Sequence, residues 1–175
     1  MTEKISDRII AKAVDIWCKA LRHPKFDNGD TSQHGFLGMA LATTLIESDK
    51  SKTTDMPNRI EVFRKAITDE LIRLRDTPED GEYFQRWLDV DYHPCRVLSN
   101  AADLSGIPHS QFSCKSSVMI DSDAVVASFG YGARREYYYP LPDGKWLVAA
   151  LCGEDIDKVI ASAMNGNPLG LKVED

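Results

Sequence analysis

Short apolar runs separated by turn residues mark the last third of the 175-residue chain. Between residues 115 and 151 these runs have the length and spacing of strands in an antiparallel meander. Residues that favour tight turns, chiefly Gly, Asp and Pro, stand between them. The predicted strands are residues 117–120, 125–129, 136–139 and 146–151. This part of the chain is therefore predicted to form three to four antiparallel strands.

Apolar residues recur at helical spacing through most of the preceding sequence. The clearest stripe is Ile60, Phe63, Ile67, Leu71 and Leu74, which predicts a helix packed on a core. Before the meander, helices are predicted at about residues 6–21, 33–47, 57–75, 78–88 and 93–104.

After the meander, a helix is predicted at about residues 154–164, and the tail from Asn167 is expected to lack regular structure. The predicted fold class is α+β: about five N-terminal helices, a three- to four-stranded antiparallel meander and a C-terminal helix. The length suits a single domain over residues 1–175. A possible division at Gly106 would separate a helical part, 1–106, from the sheet and last helix, 107–175.

Composition and charge narrow the function classes. The formal net charge is −6, which disfavours general nucleic-acid binding because phosphate contacts need clustered Lys and Arg. No signal-like segment and no apolar stretch long enough for a bilayer stands in the sequence, so no membrane association is expected. The cysteines form no C-x-x-C pair, and a reducing cytoplasm is predicted. They are Cys18, Cys95, Cys114 and Cys152.

His93, Cys95, His109 and Cys114 stand close together in the sequence and are residue types that bind zinc. Their spacing matches no zinc knuckle, so loop histidines and ordinary cysteines are the alternative interpretation. No glycine-rich phosphate loop is present, and no cofactor is predicted.

A cysteine nucleophile is a second candidate. A helix that begins near Cys95 would favour its thiolate, and His93 or His109 could act as the base. Asp89 and Asp91 stand nearby in the sequence and would oppose the thiolate.

Tyrosine and arginine are concentrated around the third predicted strand. Strand alternation places Tyr137 and Tyr139 on one face of the sheet and Glu136 and Tyr138 on the other. Tyr and Arg dominate binding hot spots and also form stacking platforms for bases, whereas tyrosines in strands are common for packing alone. The predicted binding residues are Tyr131, Arg134, Arg135, Tyr137, Tyr138 and Tyr139. An acidic stretch over residues 76–91 is either a solvated face or a second docking surface for a basic partner.

Two stretches of the sequence, residues 13–30 and 137–146, resemble small uncharacterised proteins of tailed phages and enterobacterial prophages. The first reads Ala-Val-Asp-Ile-Trp and leads into Pro-Lys-Phe-Asp-Asn-Gly-Asp; the second is Tyr-Tyr-Tyr-Pro-Leu-Pro-Asp-Gly-Lys-Trp. The resemblance implies a bacterial cytoplasm and an accessory role in the contest between phage and host. It implies no catalytic residues.

The favoured hypothesis is a non-catalytic accessory protein that binds a bacterial or phage protein through the Tyr/Arg surface or the acidic stretch. One alternative is a small hydrolase that uses His93, Cys95 and His109 with or without a metal. Another is a protein that only self-associates, as a homodimer, through the second or third predicted helix.

Overall fold

The computed structural model describes residues 4–23, 55–130, 132–151 and 171–174. Within these ranges the chain forms three α-helices and a six-stranded antiparallel sheet. The helices are α1 (Asp7–Arg22), α2 (Met56–Asp76) and α3 (Arg96–Ser105). The strands are β1 (Trp87–Val90), β2 (Ser116–Ile120), β3 (Val125–Ser128), β4 (Arg135–Pro140), β5 (Trp146–Leu151) and β6 (Leu171–Glu174). A short 3-10 helix, His109–Gln111, lies between α3 and β2.

Helix α1 begins and ends where its sequence predicts. The Ser6 hydroxyl accepts a hydrogen bond from the backbone N–H of Ile9 at 3.3 Å, which satisfies a donor that the first turn leaves unpaired. Asp7 in the first turn and Arg22 in the last complement the helix dipole. One face of α1 is buried, and its Trp17 ring meets Phe129 edge-on with centroids 5.3 Å apart.

The apolar stripe of α2 is buried, as its helical spacing predicts. Its members are at most 1% exposed and pack in one core with residues of α1, α3 and the sheet. Helix α3 ends at Gly106, whose φ of 67° lies in the left-handed region that favours glycine. Its backbone N–H donates to the carbonyls near the end of the helix.

The six strands lie side by side in the order in which they occur in the chain. Alternation gives the sheet two faces, which we call inner and outer. The inner face carries Leu88, Val118, Val125, Tyr138 and Val148, and the described helices pack on this side. The outer face carries Trp87, Ser117, Met119, Val126, Ser128, Arg135, Tyr137, Tyr139, Leu147 and Val173.

The structure corrects the predicted fold in three respects. The predicted helix over residues 78–88 is wrong: this segment is irregular and leads into β1, which pairs with β2. Because β1 precedes α3, the order is not helices first. The sheet has six strands instead of three to four, and residues 171–174, expected to lack regular structure, form β6. The predicted helices over 33–47 and 154–164 lie outside the described residues.

Each correction has a physical reason. Thr77-Pro78-Glu79-Asp80 has the composition of a helix start, but the next apolar residues satisfy a strand equally well. Leu88 and Val90 both turn inward when β1 pairs with β2, and this pairing also satisfies their backbone groups.

Among the described residues, no helix is both long enough and apolar enough to cross a membrane.

Candidate functional site

The four residues considered as metal ligands do not form a site. Within the described ranges, no three His, Cys, Asp or Glu residues are placed so that they could hold a metal ion. His93 and Cys114 are exposed, and Cys95 is half-buried just before α3. These four residues are therefore close in the sequence but do not come together in the fold.

The proposed cysteine nucleophile, Cys95, also lacks the contacts that would activate its thiol. Burial raises the pKa of the Cys95 thiol, Asp89 raises it further, and backbone N–H groups at the start of α3 lower it only in part. His109 Nε2 lies 3.0 Å from Asp103 Oδ1 and 3.4 Å from Ser99 Oγ, so one ring nitrogen makes both contacts. A catalytic triad needs the carboxylate and the hydroxyl on different nitrogens. No hydrogen bond in the described part of the chain joins His109 to Cys95.

Several carboxylates of the acidic stretch over residues 76–91 form ion pairs within the fold. Asp76 pairs with Arg75 at 2.8 Å and with Lys4 at 2.9 Å, and these contacts hold its pKa well below the usual range. Glu82 pairs with Arg73 at 2.6 Å and ties the segment to α2. Half of the six acidic residues in this stretch, Asp91 included through Lys115, thus already have basic partners.

The residues of the Tyr/Arg cluster lie on two sides of β4. Tyr137 and Tyr139 lie on the outer face with nearly parallel rings, 6.4 Å between centroids and 9° between planes. Arg135 shares that face and is exposed. Tyr138 faces inward and is buried, so it does not belong to the same surface. Arg134 is exposed just before β4, and Tyr131 lies outside the described residues.

The outer face is rich in apolar and aromatic side chains from one edge strand to the other. Trp87 on β1 is 48% exposed, and Val173 on β6 is 59% exposed. Between them, a shallow recess of about 120 Å³ is lined by Met119, Val126 and Tyr137 among others. Each described helix that packs against the sheet does so on the inner face.

A larger cavity, of about 320 Å³, lies on the other side of the sheet, between the second half of α1 and the inner face. Its apolar lining comes from both layers: Ile16, Ala20, Phe129 and Val148. Its polar lining is mainly charged or aromatic: Lys19, His23, Glu136, Tyr138, Lys172 and Glu174.

The carboxylates and the tyrosine of this cavity already have partners. Lys12 donates to Glu174 at 3.3 Å, and its amine lies 5.0 Å from the centroid of the Tyr138 ring. The Tyr138 hydroxyl donates to Glu136 at 2.6 Å. Burial, and then the neighbouring Glu136 carboxylate, raise the pKa of Tyr138, so the hydroxyl keeps its proton and remains a donor. By contrast, no described residue forms an ion pair with Lys19 or Lys172.

The sequence indicated only part of these sites. Alternation along β4 separates Tyr137 and Tyr139 from Tyr138 as the structure shows. The cavity was not predicted, because its walls come from α1 and from strands more than one hundred residues later in the chain. Comparison of the chain with protein-family models, with curated proteins and with solved structures found no match.

Proposed function

We propose that this chain is a non-catalytic binding protein that binds a protein partner on the outer face of its sheet. The observation that carries the proposal is the row of aromatic and apolar side chains across this face, which is exposed at Trp87 and Val173 and partly exposed at Tyr137 and Tyr139, with the exposed Arg135 beside it. Trp, Tyr and Arg are the side chains that contribute most to binding hot spots. They offer large contact areas at a low cost in conformational entropy.

The size of this face suits the centre of an interface. Six strands at about 4.8 Å spacing span about 24 Å, and strands of this length run roughly 15 Å. The face therefore covers on the order of 400 Å², about half of the surface that one partner contributes to a standard interface. Flanking loops would supply the polar rim of a standard interface.

The charges at the face specify the partner's chemistry. Arg134 and Arg135 are exposed, and no carboxylate of the described residues pairs with either of them. A partner that presents carboxylates around an apolar centre would complement both the arginines and the aromatic side chains. The acidic stretch over 76–91 is a weaker candidate surface, because half of its carboxylates already have basic partners.

The resemblance of two stretches to prophage proteins supports a bacterial or phage protein as the partner. A hydrolase built on His93, Cys95 and His109 is not proposed, because these residues lack the contacts such a mechanism requires. Self-association stays an alternative that a mass measurement at micromolar concentration distinguishes.

The test is a nuclease-treated capture experiment on bacterial lysate with matched variants. The double variant Arg135→Glu/Tyr137→Ala changes the outer face, whereas Lys65→Glu changes a lysine on the exposed side of α2 that is 79% exposed. We expect a stoichiometric protein to be retained by the wild type and by Lys65→Glu, and to be lost from the outer-face variant. With that protein purified, the affinity of the outer-face variant should be about thirtyfold weaker or more.

Circular dichroism of each variant shows whether the fold is kept, since Tyr137 is half-buried. If the folded outer-face variant retains the same protein as strongly as the wild type, the partner binds elsewhere and the proposal is wrong. Only nuclease-sensitive retention would indicate nucleic acid instead.

A further inference from the structure

We infer that the cavity between α1 and the inner face binds a small organic anion, one with an apolar body and a single acidic group. This site lies on the opposite side of the sheet from the proposed protein-binding face, so the two proposals are independent. Three features of the cavity carry the inference: its volume, its apolar walls and the excess of lysines over carboxylates around it.

The volume and the walls suit a compact apolar body. A cavity of about 320 Å³ lies at the lower end of the range for small-molecule sites. Ile16 and Ala20 of α1 oppose Phe129 and Val148 of the sheet, so the two layers present apolar surface to the same space. Burial of a ligand's apolar surface between these layers would supply most of the affinity.

Lysines outnumber carboxylates around the cavity once Lys12, the partner of Glu174, is counted. Lys19 lies in the last turn of α1, His23 follows directly after the helix, and Lys172 lies opposite them on β6. None of the three forms an ion pair within the described parts of the chain. Lys19 and Lys172 are exposed and have no carboxylate partner among the described residues, so they can bind an anionic group.

Two carboxylates also line the cavity, and only one of them has a cationic partner among the described residues. Glu174 accepts from Lys12 at 3.3 Å, and Glu136 accepts from the Tyr138 hydroxyl at 2.6 Å. Lys12 of α1 thus neutralises Glu174, whereas the Tyr138 hydroxyl is a neutral donor and leaves the charge of Glu136 in place. Among the described residues Lys19, Lys172 and Glu136 form no ion pair, so the remaining charge around the cavity is positive and favours an acidic ligand over a basic or a neutral one.

The test compares two fluorescent probes with the same aromatic body. 8-Anilinonaphthalene-1-sulfonate carries an acidic group, and N-phenyl-1-naphthylamine does not. We expect the sulfonate to bind the full-length protein with one-to-one stoichiometry and more tightly than the neutral probe. The variant Lys19→Gln/Lys172→Gln should bind the sulfonate about tenfold more weakly and the neutral probe unchanged.

Two further variants fix the location. Lys4→Gln/Lys65→Gln removes the same number of charges from side chains that are 71% and 79% exposed, and it should bind both probes as the wild type does. Ala20→Trp fills the cavity from α1 and should abolish binding of both probes.

Three results would overturn the inference. The first is equal affinity of the wild type for the sulfonate and the neutral probe. The second is an unchanged sulfonate affinity in Lys19→Gln/Lys172→Gln. The third is retained binding of both probes by a folded Ala20→Trp variant, which would place the probes elsewhere. Near-ultraviolet circular dichroism distinguishes a filled cavity from a loosened core, and if Ala20→Trp unfolds, the lysine variant alone decides.

Discussion

Leu88 offers a direct test of the strand that replaces the predicted helix. It lies on β1, faces inward and is 0% exposed, in the core shared with α1 and α3. Tyr83, five residues earlier in the same segment, is 76% exposed. A helix over residues 78–88 would place both on one broad apolar side. Substituting each by Ala separates the two arrangements.

The expected magnitudes differ several-fold. Leu88→Ala removes buried methyl groups and leaves a cavity that the paired strand β2 prevents from collapsing, so it should lower the free energy of unfolding by about 3 kcal/mol. Tyr83→Ala removes a side chain that lies mostly in water, and its effect should stay within about 0.5 kcal/mol. At roughly 2–4 °C per kcal/mol for a chain of this size, Leu88→Ala should lower Tm by roughly 6–12 °C.

Urea unfolding followed by circular dichroism measures both variants. With a slope near 2 kcal/mol per M, the Leu88→Ala midpoint should fall by about 1.5 M with no change in slope. The Tyr83→Ala midpoint should not move measurably. If both variants lose stability equally, or if Leu88→Ala costs less than about 1 kcal/mol, the inward orientation of Leu88 on β1 is wrong.

Two further predictions concern ionisable groups. Hydrogen bonds from Arg73 and, to a smaller extent, from the backbone N–H of Glu79 lower the pKa of Glu82 from 4.5 to about 2. This carboxylate therefore stabilises the fold above pH 4.5 and loses that contribution as the pH falls toward 2. Urea midpoints measured from about pH 6 to about pH 3 should therefore fall less in Glu82→Gln than in the wild type; parallel curves would contradict the pairing. Burial raises the pKa of Cys18 to about 11, whereas Cys114 is exposed. N-ethylmaleimide should label Cys114 in the native protein and Cys18 only after denaturation, as peptide mass spectrometry can show; native labelling of both at one rate would refute the burial of Cys18.

Local sequence patterns were sufficient to predict the elements whose stabilising contacts lie close together in the chain. The α2 stripe lies within a single helix and was predicted, and so were the approximate bounds of α1. Strands β2 to β5 are joined by short turns, so their pairing follows from neighbouring sequence. Strand β1 could not be predicted in this way, because its partner β2 lies beyond α3 and its own apolar residues fit helical spacing too.

The candidate sites also differ in whether local sequence is enough to predict them. Period-two alternation in a single strand places Tyr137 and Tyr139 on the face opposite to Tyr138, and this needs no knowledge of the rest of the fold. Alternation alone does not say which of the two faces the helices cover. The cavity depends on how α1 crosses the sheet, which brings Lys19 near Lys172 across most of the chain. No local sequence pattern could have predicted that these two residues lie close together. The proximity of His93 and Cys95 in sequence, by contrast, indicated a site that the residues described by the structure do not assemble.

The contact between Lys12 and Glu174 has a consequence for how the chain folds. These residues are 162 positions apart, whereas the hairpins of the meander close over a few residues each. Closing the longer loop costs about 3 kcal/mol more in chain entropy than closing a hairpin. We expect the hairpins to form first and α1 to pack late, which leaves the inner apolar face uncovered in the meantime. Refolding should then be limited by aggregation at high protein concentration rather than by strand formation.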